Sequence, residues 1–329
     1  MSDLGSILTI LGVVLVYLIV VRFMDLNEKE SFGGVATVLL LGMIVGVVLR
    51  LALSSTIELN NLAGPVIVEV AKFVALAIGL GLLASAGRRR GWGEVGGLMD
   101  GVVYGATAGL GLAAGYAIVR EFTIDAAALG AVQGADSFFF IALGGLADGL
   151  FGAVMGAGFG IAATGSTARK AMSIVLALAL AIVLHILYQL LVTGGAFTSA
   201  GYIRTVIGLA IPVLFVVFVI IFALGTERRA IRSQLADEAA KGVVTEAELK
   251  LLDSFMARRA LYWRHFLKGD FGTWRGLRML HNRQVQLAMA EQRAFKESDP
   301  GRKAKVQSEV EKLRSAVLAA KQQAGRATT

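Results

Sequence analysis

Cysteine does not occur in the 329 residues, so the chain can form no disulfide, no thiol nucleophile and no thiolate metal site. Charge is scarce too: Asp, Glu, Lys and Arg make up 17% of the residues, where a soluble domain carries about 25%. Proline occurs only three times. What remains is 56% hydrophobic, with a mean hydropathy of +0.70 and 40 glycines. Apolar runs of this number and length exceed what a soluble core absorbs, and glycine favours close helix packing in lipid. The composition reads as a polytopic membrane protein.

The charge falls unevenly. Residues 1–225 hold 11 Lys/Arg against 12 Asp/Glu, whereas residues 226–329 hold 21 against 12. The expected organisation is all-α: a transmembrane helical bundle over 1–225 and a basic, cytoplasmic helical tail domain over 226–329. A basic tail behind a membrane domain is expected next to anionic lipid at the cytoplasmic face. Nucleic acid is not an expected partner, because the bases of the tail are interleaved with acids rather than clustered with aromatics.

Hydropathy predicts seven spans, at about 4–22, 33–53, 62–86, 97–119, 137–164, 171–193 and 203–224. The first, LGSILTILGVVLVYLIVV, lacks a basic flank and a small-residue cleavage site, so it is read as a span and not a removed signal. The loops after spans one, three and five carry Arg22 and Lys29, then Arg88, Arg89 and Arg90, then Arg169 and Lys170. The tail opens with Arg228, Arg229 and Arg232, while the opposite side shows Arg50, Arg120 and Arg204, one per loop. The positive-inside rule then puts the N-terminus outside and the tail in the cytoplasm, in what is expected to be a bacterial plasma membrane. Spans four and five hold the glycine pairs Gly105/Gly109, Gly111/Gly115, Gly145/Gly149, Gly152/Gly156 and Gly156/Gly160. A four-residue spacing lines one helix face with small residues and predicts close backbone approach.

In the tail, Thr245-Glu246-Ala247-Glu248 is a capping box, and Ser298-Asp299-Pro300 is a second helix start. Val306, Val310, Leu313 and Val317 mark one face of the last helix. About four tail helices are expected, with His265 and His281 as surface residues among arginines.

Ionisable groups inside the spans point to function, because lipid penalises them unless they are paired or used. Span three contains Glu69 and Lys72, span five Asp148 and span six His185, and span four ends at Tyr116. At about 1.5 Å per helical residue, Glu69, His185 and Asp148 lie roughly 10, 12 and 16 Å below the outer ends of their spans, and Tyr116 within about 5 Å of its own. A shared site is therefore geometrically possible. One version is a satisfied polar network: Glu69 pairs with Lys72 three residues on, and His185, facing the bundle interior, bonds Tyr116 or Asp148, with Glu69 and Asp148 its expected partners by depth. The other is a metal site in which one histidine and two carboxylates, His185, Glu69 and Asp148, hold a divalent ion.

The stretch MDGVVYGATAGLGLAAGYAI, residues 99–118, resembles the Asp-Gly, Tyr-Gly, Gly-Leu-Gly-Phe-Ala segment of the PrsW-type membrane-embedded proteases. GPVIVEVAKF resembles that family's proline, Glu-Glu pair and lysine; ADGLFGAVMGAGFG resembles its first histidine segment, and VLHILYQ its second. The tail resembles the cytoplasmic extension of some members. At the motif positions Val68 and Glu69 stand for the paired glutamates, Tyr116 for a glutamate, Asp148 for the first histidine and Gln189 for an asparagine, while His185 is kept. The resemblance implies the fold and assigns the catalytic positions to Glu69 and His185, with zinc as the cofactor of an active member. Three functions follow as expectations. The first is a pseudoprotease that binds transmembrane segments of other proteins or scaffolds partners. The second is a metalloprotease using a rebuilt Glu69/Asp148/His185 site. The third is a small-solute transporter.

Overall fold

The structure, a computed structural model, describes residues 3–24, 31–53, 62–90, 97–123, 135–163, 167–192, 199–297 and 299–327. Among these residues every regular element is an α-helix: α1 (Asp3–Met24), α2 (Phe32–Leu53), α3 (Ala63–Arg90), α4 (Leu98–Thr123), α5 (Ala135–Ala163), α6 (Thr167–Val192), α7 (Ser199–Ala240), α8 (Glu246–Asp253), α9 (Phe255–Leu267), α10 (Phe271–Lys296) and α11 (Pro300–Ala327). Seven of them, α1 to α7, are long and apolar enough to cross a membrane. Lys29 and Ser298, used above for orientation and capping, lie outside the described residues.

Packing divides the chain into two compact units, whose described residues run from 3 to 220 and from 221 to 327. In the first, the two least apolar spans, α4 and α5, are the most buried, because they face protein where the others face lipid. α4 packs on α5 on one side and α2 on the other; α5 also meets α6, and α3 contacts both α2 and α6. Glycine makes this possible. A methyl group on Gly105, Gly109, Gly152 or Gly156 would run into the carbonyl of Gly152, Asp148, Gly105 or Gly101 on the facing helix. On the other face of α4, Gly111 and Gly115 lie against the Leu39 and Met43 carbonyls, and Gly42 and Gly46 of α2 against those of Ala108 and Leu112. The Gly145/Gly149 pair differs: a methyl group on Gly145 would meet only the Tyr17 ring, in ordinary contact at 3.8 Å. The apolar core gathers Val38, Leu76, Tyr104, Phe151, Met155, Leu184, Leu209 and Val216. Leu15, Val48, Leu214 and Phe218 point outward, as lipid-facing residues do.

The second unit has its own core, of Ile231, Leu235, Leu252, Leu280, Val285, Leu287, Val310 and Val317, with Val306 and Leu313 partly buried against it. The capping box is formed: Glu248 N donates to Thr245 Oγ1 at 3.2 Å and Thr245 N to the Glu248 carboxylate at 2.7 Å. Pro300 is the first residue of α11, where its missing N–H leaves no gap. Ser254 ends α8 and, by accepting from Ala257 N, starts α9. Glu238, with no exposed surface, receives a two-pronged contact from Arg314 at 2.7 and 2.8 Å and a third from Lys241 at 2.8 Å, which ties α7 to α11.

His281 corrects the surface expectation. It is 2% exposed, its Nδ1 lies 2.8 Å from the Tyr262 hydroxyl, and burial, with Arg258 nearby, pushes its pKa down to about 4. Its flanking Leu280, Val285 and Leu287 belong to the buried stripe of α10, and the histidine turns inward with them. His265 is partly exposed, with Asp270 3.0 Å away.

Candidate functional site

Three helices carry the site. α3 begins with Pro65 in its first turn and then presents Glu69 and Lys72 three residues apart on one face. α5 brings Asp148 at the level where Gly109 of α4 lets the two backbones close up on the Asp148 carbonyl. α6 brings His185. Lys72 Nζ donates to Glu69 Oε1 at 2.5 Å, and His185 Nδ1 lies 2.6 Å from the same oxygen. Lys72 Nζ also lies 2.7 Å from Asp148 Oδ1, as an ion pair. The side chains of Glu69 and Lys72 are 0% and 1% exposed, against 13% for His185 and 22% for Asp148, so approach to the group is from the Asp148 side.

With Glu69 ionised, its oxygen only accepts, and the contact is then one in which His185 Nδ1–H donates. One cationic side chain, Lys72, thus faces two carboxyl groups, Glu69 and Asp148. Phe151, one turn after Asp148, stacks on His185 with centroids 4.8 Å apart and planes 17° apart, and lies 5.2 Å from Lys72 Nζ. Tyr188 meets the edge of Phe151 at 5.8 Å. These rings set apolar surface against the cluster, where the lower dielectric strengthens its electrostatics.

The spacing of Glu69 and Lys72 foretold their pair, and the shared depth foretold Asp148 and His185 beside them. Tyr116 does not join. Its ring lies 5.3 Å from the Arg50 guanidinium at the end of α2, so His185 takes Glu69 and not Tyr116 as partner. Depth alone could not tell this, because it leaves the rotation of α4 free. Val68 is half-buried beside Glu69, and Gln189 lies one turn beyond His185 on α6, also half-buried. The reading from sequence missed Phe151 and the contact of Lys72 with Asp148. The signal for Phe151 was its i+3 spacing from Asp148.

One donor atom from each of Glu69, Asp148 and His185 lies within 4.8 Å of the others, close enough to share one metal ion, and Glu69 Oε2 is buried without a hydrogen bond. The donor set, one imidazole and two carboxylates, suits zinc. One feature of the arrangement opposes it: the Lys72 ammonium already lies between Glu69 Oε1 and Asp148 Oδ1. A divalent ion and a lysine cation repel each other strongly at such range in a buried site.

Fold and site together define a polytopic helical membrane protein with an ionisable centre buried between its spans. The model of the PrsW family intramembrane metalloproteases matches residues 30–224, more than half of the chain, and the protein belongs to that family. No curated protein and no solved structure matches it.

Proposed function

We propose that this PrsW-family protein is a pseudoprotease that binds transmembrane segments of other membrane proteins, or scaffolds partners, without cutting them. The observation that carries the reading is at the altered motif positions, where Val68 offers no polar atom and the Tyr116 ring lies 5.3 Å from the Arg50 guanidinium rather than in the cluster; Lys72, which the family's motif shares, pairs with both carboxylates. Peptide hydrolysis needs a free base and a group that polarises the carbonyl. Here both carboxylates are held by a cation, Val68 offers no polar atom, and Tyr116 lies against Arg50. In this proposal the N-terminus is outside a bacterial plasma membrane, and residues 226–329 form a cytoplasmic domain.

The second reading, a metalloprotease with a rebuilt site, draws on the proximity of the three donors and the unpartnered Glu69 Oε2. In it Glu69, Asp148 and His185 would hold zinc, which supplies Lewis acidity and an acidified water, and Lys72 would have to withdraw.

Metal analysis of the purified full chain, paired with incubation beside a single-span substrate in nanodiscs, separates the two. The proposal expects no stoichiometric zinc and no cleavage. One zinc per chain together with cleavage, both abolished in His185→Ala, would overturn it.

A further inference from the structure

The second unit carries a surface that its own fold leaves unexplained. α9 and α10 meet at the turn Lys268-Gly269-Asp270, where Gly269 takes a φ of 73°. Around this turn four aromatic rings form one chain of contacts: Trp263 to Phe266 at 5.7 Å, Phe266 to Phe271 at 5.5 Å and Phe266 to Trp274 at 5.8 Å. They are not a core. Trp263 is 50% exposed, Phe266 41% and Phe271 57%, and Leu267 beside them is 78% exposed. A helical hairpin in water has no reason to hold this apolar surface at its tip, and contiguous patches of this kind mark a binding face.

Charge points to the occupant. From Phe255 to Arg278 there are six Lys/Arg and one acid, Asp270. The tail as a whole interleaves bases with acids; this stretch does not, and here the bases lie among aromatics. Asp270 is already engaged, capping α10 through Thr273 N at 3.2 Å and facing His265 at 3.0 Å. Arg264, Lys268 and Arg275 are exposed on the hairpin, and the Arg278 guanidinium lies 5.0 Å from the Trp274 ring. Aromatic rings with an aliphatic tip, ringed by cations, match the interface of an anionic bilayer, where rings sit at headgroup depth and Lys/Arg meet phosphates. A second copy fits less well: a two-fold contact would set this cationic face against itself. A bilayer is also always at hand, since the same chain carries the seven apolar helices.

We infer that the α9–α10 hairpin is an interfacial anchor that docks Trp263, Phe266, Leu267 and Phe271 into an anionic lipid surface. The inference is independent of the chemistry at Glu69 and His185.

The test uses the full chain with Trp92→Phe, so that only Trp263 and Trp274 emit. It is reconstituted in nanodiscs of phosphatidylcholine alone, or with one quarter phosphatidylglycerol, with acyl chains brominated near the headgroup. In the anionic discs the bromines quench the emission and aqueous acrylamide does not. Replacing Arg264, Lys268 and Arg275 by Gln lowers the docked-to-free ratio on the order of 100-fold, at about fivefold per cation. Phe266→Asp with Leu267→Asp abolishes bromine quenching. Emission open to acrylamide and untouched by bromine in anionic discs overturns the inference. Shielding from both quenchers overturns it too, and assigns the patch to a second copy or another macromolecule.

Discussion

Replacing Lys72 by Met removes the ammonium and keeps an unbranched side chain of similar length. In the native site that ammonium lies 2.5 Å from Glu69 Oε1 and 2.7 Å from Asp148 Oδ1, and is 1% exposed. Breaking a buried pair by deleting one partner destabilises by about 3–5 kcal/mol, because the remaining charge has no compensation. Here two carboxylates lose the same partner. At an effective dielectric of about 20, two like charges 4 Å apart repel by roughly 4 kcal/mol, so the variant is driven to take up a proton or a cation. The expected result is a metal-free Lys72→Met protein that melts well below wild type. Zinc then restores it, by about 2.7 kcal/mol at a concentration 100 times the dissociation constant. Wild type, with the ammonium in place, gains nothing from zinc at neutral pH. Thermal unfolding in nanodiscs with and without zinc reads both effects, and titration calorimetry reads the binding directly. The reasoning fails if wild type binds zinc as tightly as the variant, or if Lys72→Met melts like wild type and ignores zinc.

Three further outcomes are expected. His281 protonates near its ordinary 6.5 in the unfolded chain but near 4 in the fold, where burial holds it neutral. The unfolded state therefore binds more protons between these values, and tail stability falls by about 3 kcal/mol as the pH drops from about 6.5 to 4. Urea unfolding followed by Trp263 and Trp274 in the Trp92→Phe protein measures it, and His281→Gln should flatten the slope. Gly156→Leu drives a side chain into the Gly101 carbonyl and should destabilise the bundle by roughly 3 kcal/mol or more, whereas Gly144→Leu, with open space around it, changes the melting midpoint little. A single cysteine at Ser199 should react with an impermeant maleimide from outside the cell only; labelling from the cytoplasmic side alone would reverse the topology.

The sequence by itself determined whatever is encoded within one helix or its ends. Seven apolar runs gave seven helices of membrane-spanning length; Thr245 and Glu248 formed their box; Val310 and Val317 lie on the buried face their spacing required; Glu69 and Lys72 pair at i,i+3. Each follows from the pitch of a helix or the unsatisfied amides at its start, which are properties of a few neighbouring residues. The bond between His185 and Glu69, 116 residues apart, was made plausible by depth but not fixed by it, and the reach of Lys72 to Asp148, the seating of Tyr116 on Arg50 and the burial of His281 are of another kind again. Depth along a span could be counted from the sequence; the azimuth of each helix could not. That angle is set where glycine faces let α4 close on α2 and α5 together, a sum over contacts from several helices. Only the tertiary structure therefore decided that the cation among Glu69, Asp148 and His185 is the lysine of α3 itself.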